Sequence, residues 1–170
     1  FVRAAPGFVR PAAANRTGEP ADFGTVVAAL GDVLENGPNC EEFAASAPAG
    51  GPNGAGLVRV FDCHGATLWT SAPGVSTTGR QGAAVSPLGD VTGDGYVDFA
   101  IGIPGVVNGL VSVHSLGVPV DGNLDWSLPT PGTAGLFGTA LTADGTDRDG
   151  DGCKDVVVGA PGSDGGRGRV

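Results

Sequence analysis

Residues 56–61, GLVRVF, and 109–114, GLVSVH, alternate aliphatic with polar or small side chains, the period-two signature of a half-buried strand. Each is preceded by an apolar run that closes on a proline, EEFAASAP to Pro48 and VDFAIGIP to Pro104. Each is followed by a run centred on tryptophan, ATLWTS at 66–71 and NLDWSL at 123–128. A third proline-ended run, KDVVVGAP to Pro161, stands near the end of the sequence. Three related openings precede these runs: FGTVVAALGD from Phe23, QGAAVSPLGD from Gln81 and FGTALTADGTD from Phe137. A fixed period decides architecture before local propensity does, and here it gives three copies of one unit.

Four short antiparallel strands per copy predict an all-β fold of β-propeller blades. The third copy reaches only GRGRV, partway through its third strand. If Phe1 is placed after Val170, it falls where Phe61 and His114 stand in the other copies, and the next Phe-Gly then keeps the period. The reading is therefore residues 1–22 as outer strands that complete a third-type blade, 23–80 as the first repeat, 81–136 as the second, and 137–170 as the first half of the third. Three blades are too few to close, since propellers carry about four to eight. The unit is expected either to recur in tandem along a longer polypeptide or to be completed by other copies of itself through strand addition, head to tail, with Val170 beside Phe1. A non-closing array of this kind would form a filament.

Composition supports the strand reading. The 170 residues include 32 Gly and 13 Pro and no Met, which opposes long helices. A formal net charge of −9 with only nine Lys and Arg argues against a nucleic-acid partner. No stretch approaches the roughly 20 apolar residues of a membrane span, and no charged start followed by an apolar core resembles a signal peptide. A first residue of Phe reads as a processed or excerpted chain.

The acids concentrate in loops between the first and second strand of each copy. Asp147, Asp149, Asp151 and Asp155 hold positions 1, 3, 5 and 9 of one loop, with Gly152 at position 6 and the backbone carbonyl of Cys153 at position 7. Oxygen ligands at this spacing can wrap Ca²⁺ at about 2.3–2.6 Å. An EF-hand would need a Glu at position 12 and a following helix, whereas Val158 stands there within a valine strand. The second copy repeats the pattern as Asp90, Thr92, Asp94, Tyr96 and Asp98, with one carboxylate replaced by a hydroxyl and weaker binding expected. The first copy is disrupted by an insertion and leaves Asp32, Asn36 and Glu42 as the weakest set.

These residues resemble FG-GAP repeats, the propeller blades of integrin α-subunits and many secreted proteins. The resemblance is carried by Phe-Gly at 23 and 137, Gly-Ala-Pro at 159–161, and the loops at 90–98 and 147–155. It implies Ca²⁺ held between the first and second strands of a blade. Gln81 departs from the aromatic of the motif, and Ser-Ala-Pro and Gly-Ile-Pro stand for Gly-Ala-Pro in the first two copies.

Cys40 lies in the loop between the first two strands of its blade and Cys63 just after the third strand, so a disulfide between them is expected. Cys153 is then free, or bonds to another copy or chain. Asn15-Arg16-Thr17 is an acceptor sequon for N-glycosylation. The loops and the sequon together place the chain outside the cell or on its surface. No Gly-x-Ser-x-Gly elbow, P-loop or dinucleotide fingerprint occurs, so the chain reads as a non-enzyme. The leading expectation is a calcium-binding extracellular structural or adhesive unit in a self-assembling array. The alternatives are a propeller that recognises a protein or glycan ligand and, with less behind it, a propeller enzyme.

Overall fold

The computed structural model describes residues 19–34, 40–72, 74, 76–117, 124–128, 130, 135–143, 145–150 and 154–170, with the backbone alone at 124–126. They contain no α-helix. The first repeat forms a four-stranded antiparallel sheet in sequential order from β1 (Val27–Gly31), β2 (Glu42–Ala47), β3 (Leu57–Phe61) and β4 (Thr67–Thr70). The second repeats it with β5 (Ala84–Gly89), β6 (Asp98–Ile103), β7 (Leu110–Ser115) and β8 (Leu124–Leu128). The third contributes an antiparallel pair, β9 (Ala140–Thr142) and β10 (Val157–Gly159). The two full sheets share their irregularities: register shifts fall between Ala29 and Gly31 in one and between Pro87 and Gly89 in the other.

The sheets pack face to face in chain order through their first strands, β1 against β5 and β5 against β9. Cores therefore lie between sheets. Leu30, Ala44, Val58 and Val60 of the first meet Val85, Phe99, Ile101 and Ile103 of the second. Ala100, Val111 and Val113 on the opposite face of the second meet Phe137 and Ala160 of the third. The middle sheet is covered on both faces, which is why all six residues of β6 are buried and its DFAIGI sequence is almost continuously apolar. Trp69 of β4 reaches across the first joint and lies edge-on to Phe99, with ring centroids 5.6 Å apart, and 5.2 Å from the His114 ring.

Backbone approach at the joints explains the motif glycines. The N–H groups of Gly24, Gly82 and Gly138 donate to the carbonyls of Ser46, Gly102 and Gly159, the residues that open Ser-Ala-Pro, Gly-Ile-Pro and Gly-Ala-Pro. These bonds tie each blade's opening turn to its own second strand. The same turn also reaches the preceding blade. Gln81 forms a parallel bridge with Gly56, and Phe137 forms the same bridge with Gly109. A Cβ on Gly56 would stand 2.4 Å from the Gln81 carbonyl oxygen, and one on Gly109 would stand 2.2 Å from that of Phe137. Gln81 thus replaces an aromatic without altering the backbone joint. Ser46 replaces a glycine and places its hydroxyl on the Gly82 carbonyl at 2.8 Å.

The disulfide forms between Cys40 and Cys63, with Cα atoms 5.0 Å apart, and closes the loop end of the first blade. Cys153, Asn15 and residues 1–18 of the proposed outer strands 1–22 lie outside the described residues, and residues 19–22 form no strand.

Two substitutions test this architecture. Gly109→Ala, which combines a φ of +87° with a backbone clash, should lower unfolding free energy by about 2 kcal/mol in a urea titration. Replacing Cys40 and Cys63 with serine should cost about 3 kcal/mol in the chain-entropy account of a loop of this length.

Candidate metal centre

All three acidic loops join the first strand of a sheet to the second, β1 to β2, β5 to β6 and β9 to β10. Antiparallel pairing of β5 with β6 sets Asp98 opposite Gly89, so the ninth loop position returns beside the residue that precedes the first. Asp98 is wholly buried, and its Oδ2 accepts hydrogen bonds from the N–H groups of Val91 at 2.7 Å and Thr92 at 2.9 Å. Asp90 wraps the loop from the other side, accepting from Gly93 N at 2.7 Å and Gly95 N at 3.0 Å. Asp94 accepts from Tyr96 N at 2.8 Å and from the Ser115 hydroxyl at 2.7 Å.

The same closure recurs in the other loops. In the third, Asp155 Oδ2 accepts from Arg148 N and Asp147 Oδ1 from Gly150 N, both at 2.6 Å. Ligand atoms of Asp147, Asp149 and Asp155 lie within 4.8 Å of one another. Asp151 and the Cys153 carbonyl, the other candidate ligands there, lie outside the described residues. In the first loop Glu42 Oε2 accepts from Val33 N at 2.8 Å and Leu34 N at 3.4 Å. The extra methylene of Glu42 thus reproduces the contact Asp98 makes, despite the insertion. Asn36 lies outside the described residues, and Asp32 is exposed. A second acidic-loop feature, the contact between Ser115 and Asp94, has no local sequence signal because it joins β7 to the loop across the sheet.

Electrostatics separates the two carboxylates of the second loop. Hydrogen bonds from Tyr96 N–H and the Ser115 hydroxyl hold Asp94 below its ordinary value of 3.8. Burial raises Asp98 above it, with the nearby Asp94 charge adding to the rise against the two N–H donors. The signs are opposite. Asp94 contributes stability above its unfolded value that is lost as pH falls through its folded value, whereas Asp98 withdraws stability as pH rises through the window from its unfolded to its folded value.

Asp98 Oδ1 is buried and has no hydrogen-bond partner among the described residues. A desolvated carboxylate oxygen without a donor is costly, and a hard cation is the partner that would satisfy it. Among the described residues the carboxylates of Asp147, Asp149 and Asp155 converge closely enough that they would hold a hard cation, whereas Asp90, Asp94 and Asp98 with the Thr92 hydroxyl offer the donor types without forming such a cluster. Cys40, Cys63 and His64 also cluster, but the two sulfurs are consumed by the disulfide.

Asp98→Asn separates closure of the loop from cation binding. In chelator the variant should melt within about 1 kcal/mol of wild type, because a buried charge is removed while one oxygen still accepts from the loop. Any stabilisation by calcium should be lost at that loop; an unchanged calcium response would remove Asp98 from the ligand set.

No protein-family profile matches the chain. It is 38% identical to integrin alpha-PS5 of Drosophila melanogaster over 97 residues, 53% of this chain and 10% of that protein. It is also 38% identical to integrin alpha-PS3 over 94 residues and to integrin alpha-PS2 over 113 residues, both from the same fly, covering 51% and 56% of this chain and 8% of each relative. The chain thus spans about a tenth or less of the length of these relatives. With four-stranded antiparallel sheets stacked in chain order, these similarities support an FG-GAP, integrin α-like region over about half the chain.

Proposed function

We propose that the chain is a calcium-stabilised β-propeller unit of an extracellular adhesive or structural protein, acting by binding other proteins rather than by catalysis. One observation carries the metal part: Asp147, Asp149 and Asp155 converge to within 4.8 Å on a loop that feeds a strand. Like charges this close repel, and a bound cation would offset that repulsion. The integrin similarity supports the adhesive setting and a protein partner. Residues 1–22 supply the outer strands of a third-type blade in this reading, and the unit joins further blades of its own kind.

Calcium does structural work here. At about 1 mM calcium and a dissociation constant near 10⁻⁴ M, an occupied loop gains about 1.4 kcal/mol. A cation held by Asp147, Asp149 and Asp155 would brace the turn between two strands and leave the blade face free for a partner.

Calorimetry with and without chelator tests the reading. Calcium should raise the melting temperature, and Asp149→Ala or Asp90→Ala should each remove part of that rise. A melt that calcium leaves unchanged would sink the metal role.

A further inference from the structure

The first two blades differ at the end that carries their acidic loops. Strand pairing sets Phe43 opposite Phe61 in one and Phe99 opposite His114 in the other, so Cys40, Cys63 and His64 hold the places of Tyr96, Leu116 and Gly117. In the second blade that place is filled by packing: Leu116 is 1% exposed, and a Cβ on Gly117 would stand 3.6 Å from the Tyr96 ring. In the first blade it holds two sulfurs and an imidazole. His64 Nδ1 lies 3.2 Å from Cys63 Sγ, and ligand atoms of Cys40, Cys63 and His64 all fall within 4.8 Å of one another.

Contacts other than the disulfide hold this cluster together. Asp62 Oδ1 accepts hydrogen bonds from His64 N at 2.9 Å and Ala66 N at 2.7 Å, which fixes the turn that carries Cys63 and His64. Asp62 Oδ2 lies 3.8 Å from His64 Nδ1. On the other side, Glu42 anchors the loop that carries Cys40 through Val33 N, and pairing of β2 with β3 keeps the two segments adjacent. The cysteines are buried whereas the His64 side chain is 78% exposed, so the cluster meets solvent on its imidazole side.

We propose that this cluster is a zinc site gated by the disulfide: closed while Cys40 and Cys63 are bonded, and a two-cysteine, one-histidine site for Zn²⁺ once a thiol reduces them. Two equivalents of a low-molecular-weight thiol supply two electrons and two protons. The S–S bond breaks, each sulfur takes a proton, and the reductant leaves as its own disulfide. Zn²⁺ then displaces both protons and is held by two thiolates and the neutral imidazole, with water or the Asp62 carboxylate in the fourth position. Tetrahedral Zn–S bonds of about 2.3 Å place the sulfurs about 3.8 Å apart. Cysteines whose Cα atoms are 5.0 Å apart reach that separation by rotating their side chains. These ligands are soft where the acidic loops offer hard oxygens, so the two kinds of site select different metals. The exchange falls in the blade whose acidic loop is interrupted, with Leu34 at its third position.

Cobalt absorption on the full chain tests the site, with Cys153→Ser throughout so that Cys40 and Cys63 are the thiols that remain. After reduction with a phosphine and anaerobic desalting, a single equivalent of Co²⁺ should bind. It should give a sulfur-to-metal charge-transfer band and the strong visible bands of tetrahedral coordination. Zn²⁺ should bleach both, excess Ca²⁺ should bleach neither, and the oxidised chain should show neither. His64→Ala should weaken Zn²⁺ binding at least about tenfold while the melt of the oxidised chain stays close to that of the parent, a split that a purely structural histidine would not produce. Cys63→Ser should lose the charge-transfer band's two-thiolate intensity. If the reduced chain does not keep its fold, Zn²⁺ should restore the melt seen before reduction. A reduced chain that gives weakly coloured, octahedral cobalt, that stays unfolded in zinc, or that binds zinc as tightly after His64→Ala would overturn the proposal.

Discussion

The hydrogen bond from the opening glycine of each blade to the first residue of its proline-ended motif is the contact on which the remaining structure depends. Through it Gly24, Gly82 and Gly138 fasten the opening turn to the second strand of their own blades. A side chain on that glycine would face the preceding blade at under 3 Å at both joints, so the absence of Cβ lets one turn serve two sheets. The Phe-Gly and Gly-Ala-Pro motifs are, in this light, the two ends of a single interaction.

Once the turns are fastened, the rest follows from sheet geometry. Antiparallel pairing brings the ninth loop position back beside the first, so a carboxylate there can close the loop by accepting its N–H groups. Glu42, Asp98 and Asp155 all do so. Loop closure is thus common to the three blades, whereas convergence of acids on one point is seen among the described residues at Asp147, Asp149 and Asp155. In these three blades loop closure does not require three converging acids.

The repeat, the strand order and the position of the loops were legible in the sequence because they depend on local patterns that recur. The disulfide was legible for the same reason, since both cysteines fall at one end of a blade. What was hidden is non-local. Gln81 reads as a damaged motif, yet the joint uses its backbone, which is indifferent to the side chain. Ser46 reads as a departure and in fact bonds to the next blade. Glu42 reads as a weak ligand, although its burial and its two N–H partners make it the structural closure of its loop. His114 carries no signal in its strand pattern, whereas its ring stacks on Phe99 and lies 5.2 Å from Trp69 of the neighbouring blade. Gln81, Ser46 and His114 depend on a partner on the opposite side of a joint, and Glu42 on N–H groups across its own loop.

The location of the cores between sheets has a consequence for folding. A single blade has no interior of its own, so the smallest cooperative unit is a pair, and stability accrues as nearest-neighbour terms along a line. Blades at the ends of such a line have one neighbour and open before those in the middle. Closing the line into a circle adds one more interface without lengthening the chain, and abolishes the ends from which unfolding would start.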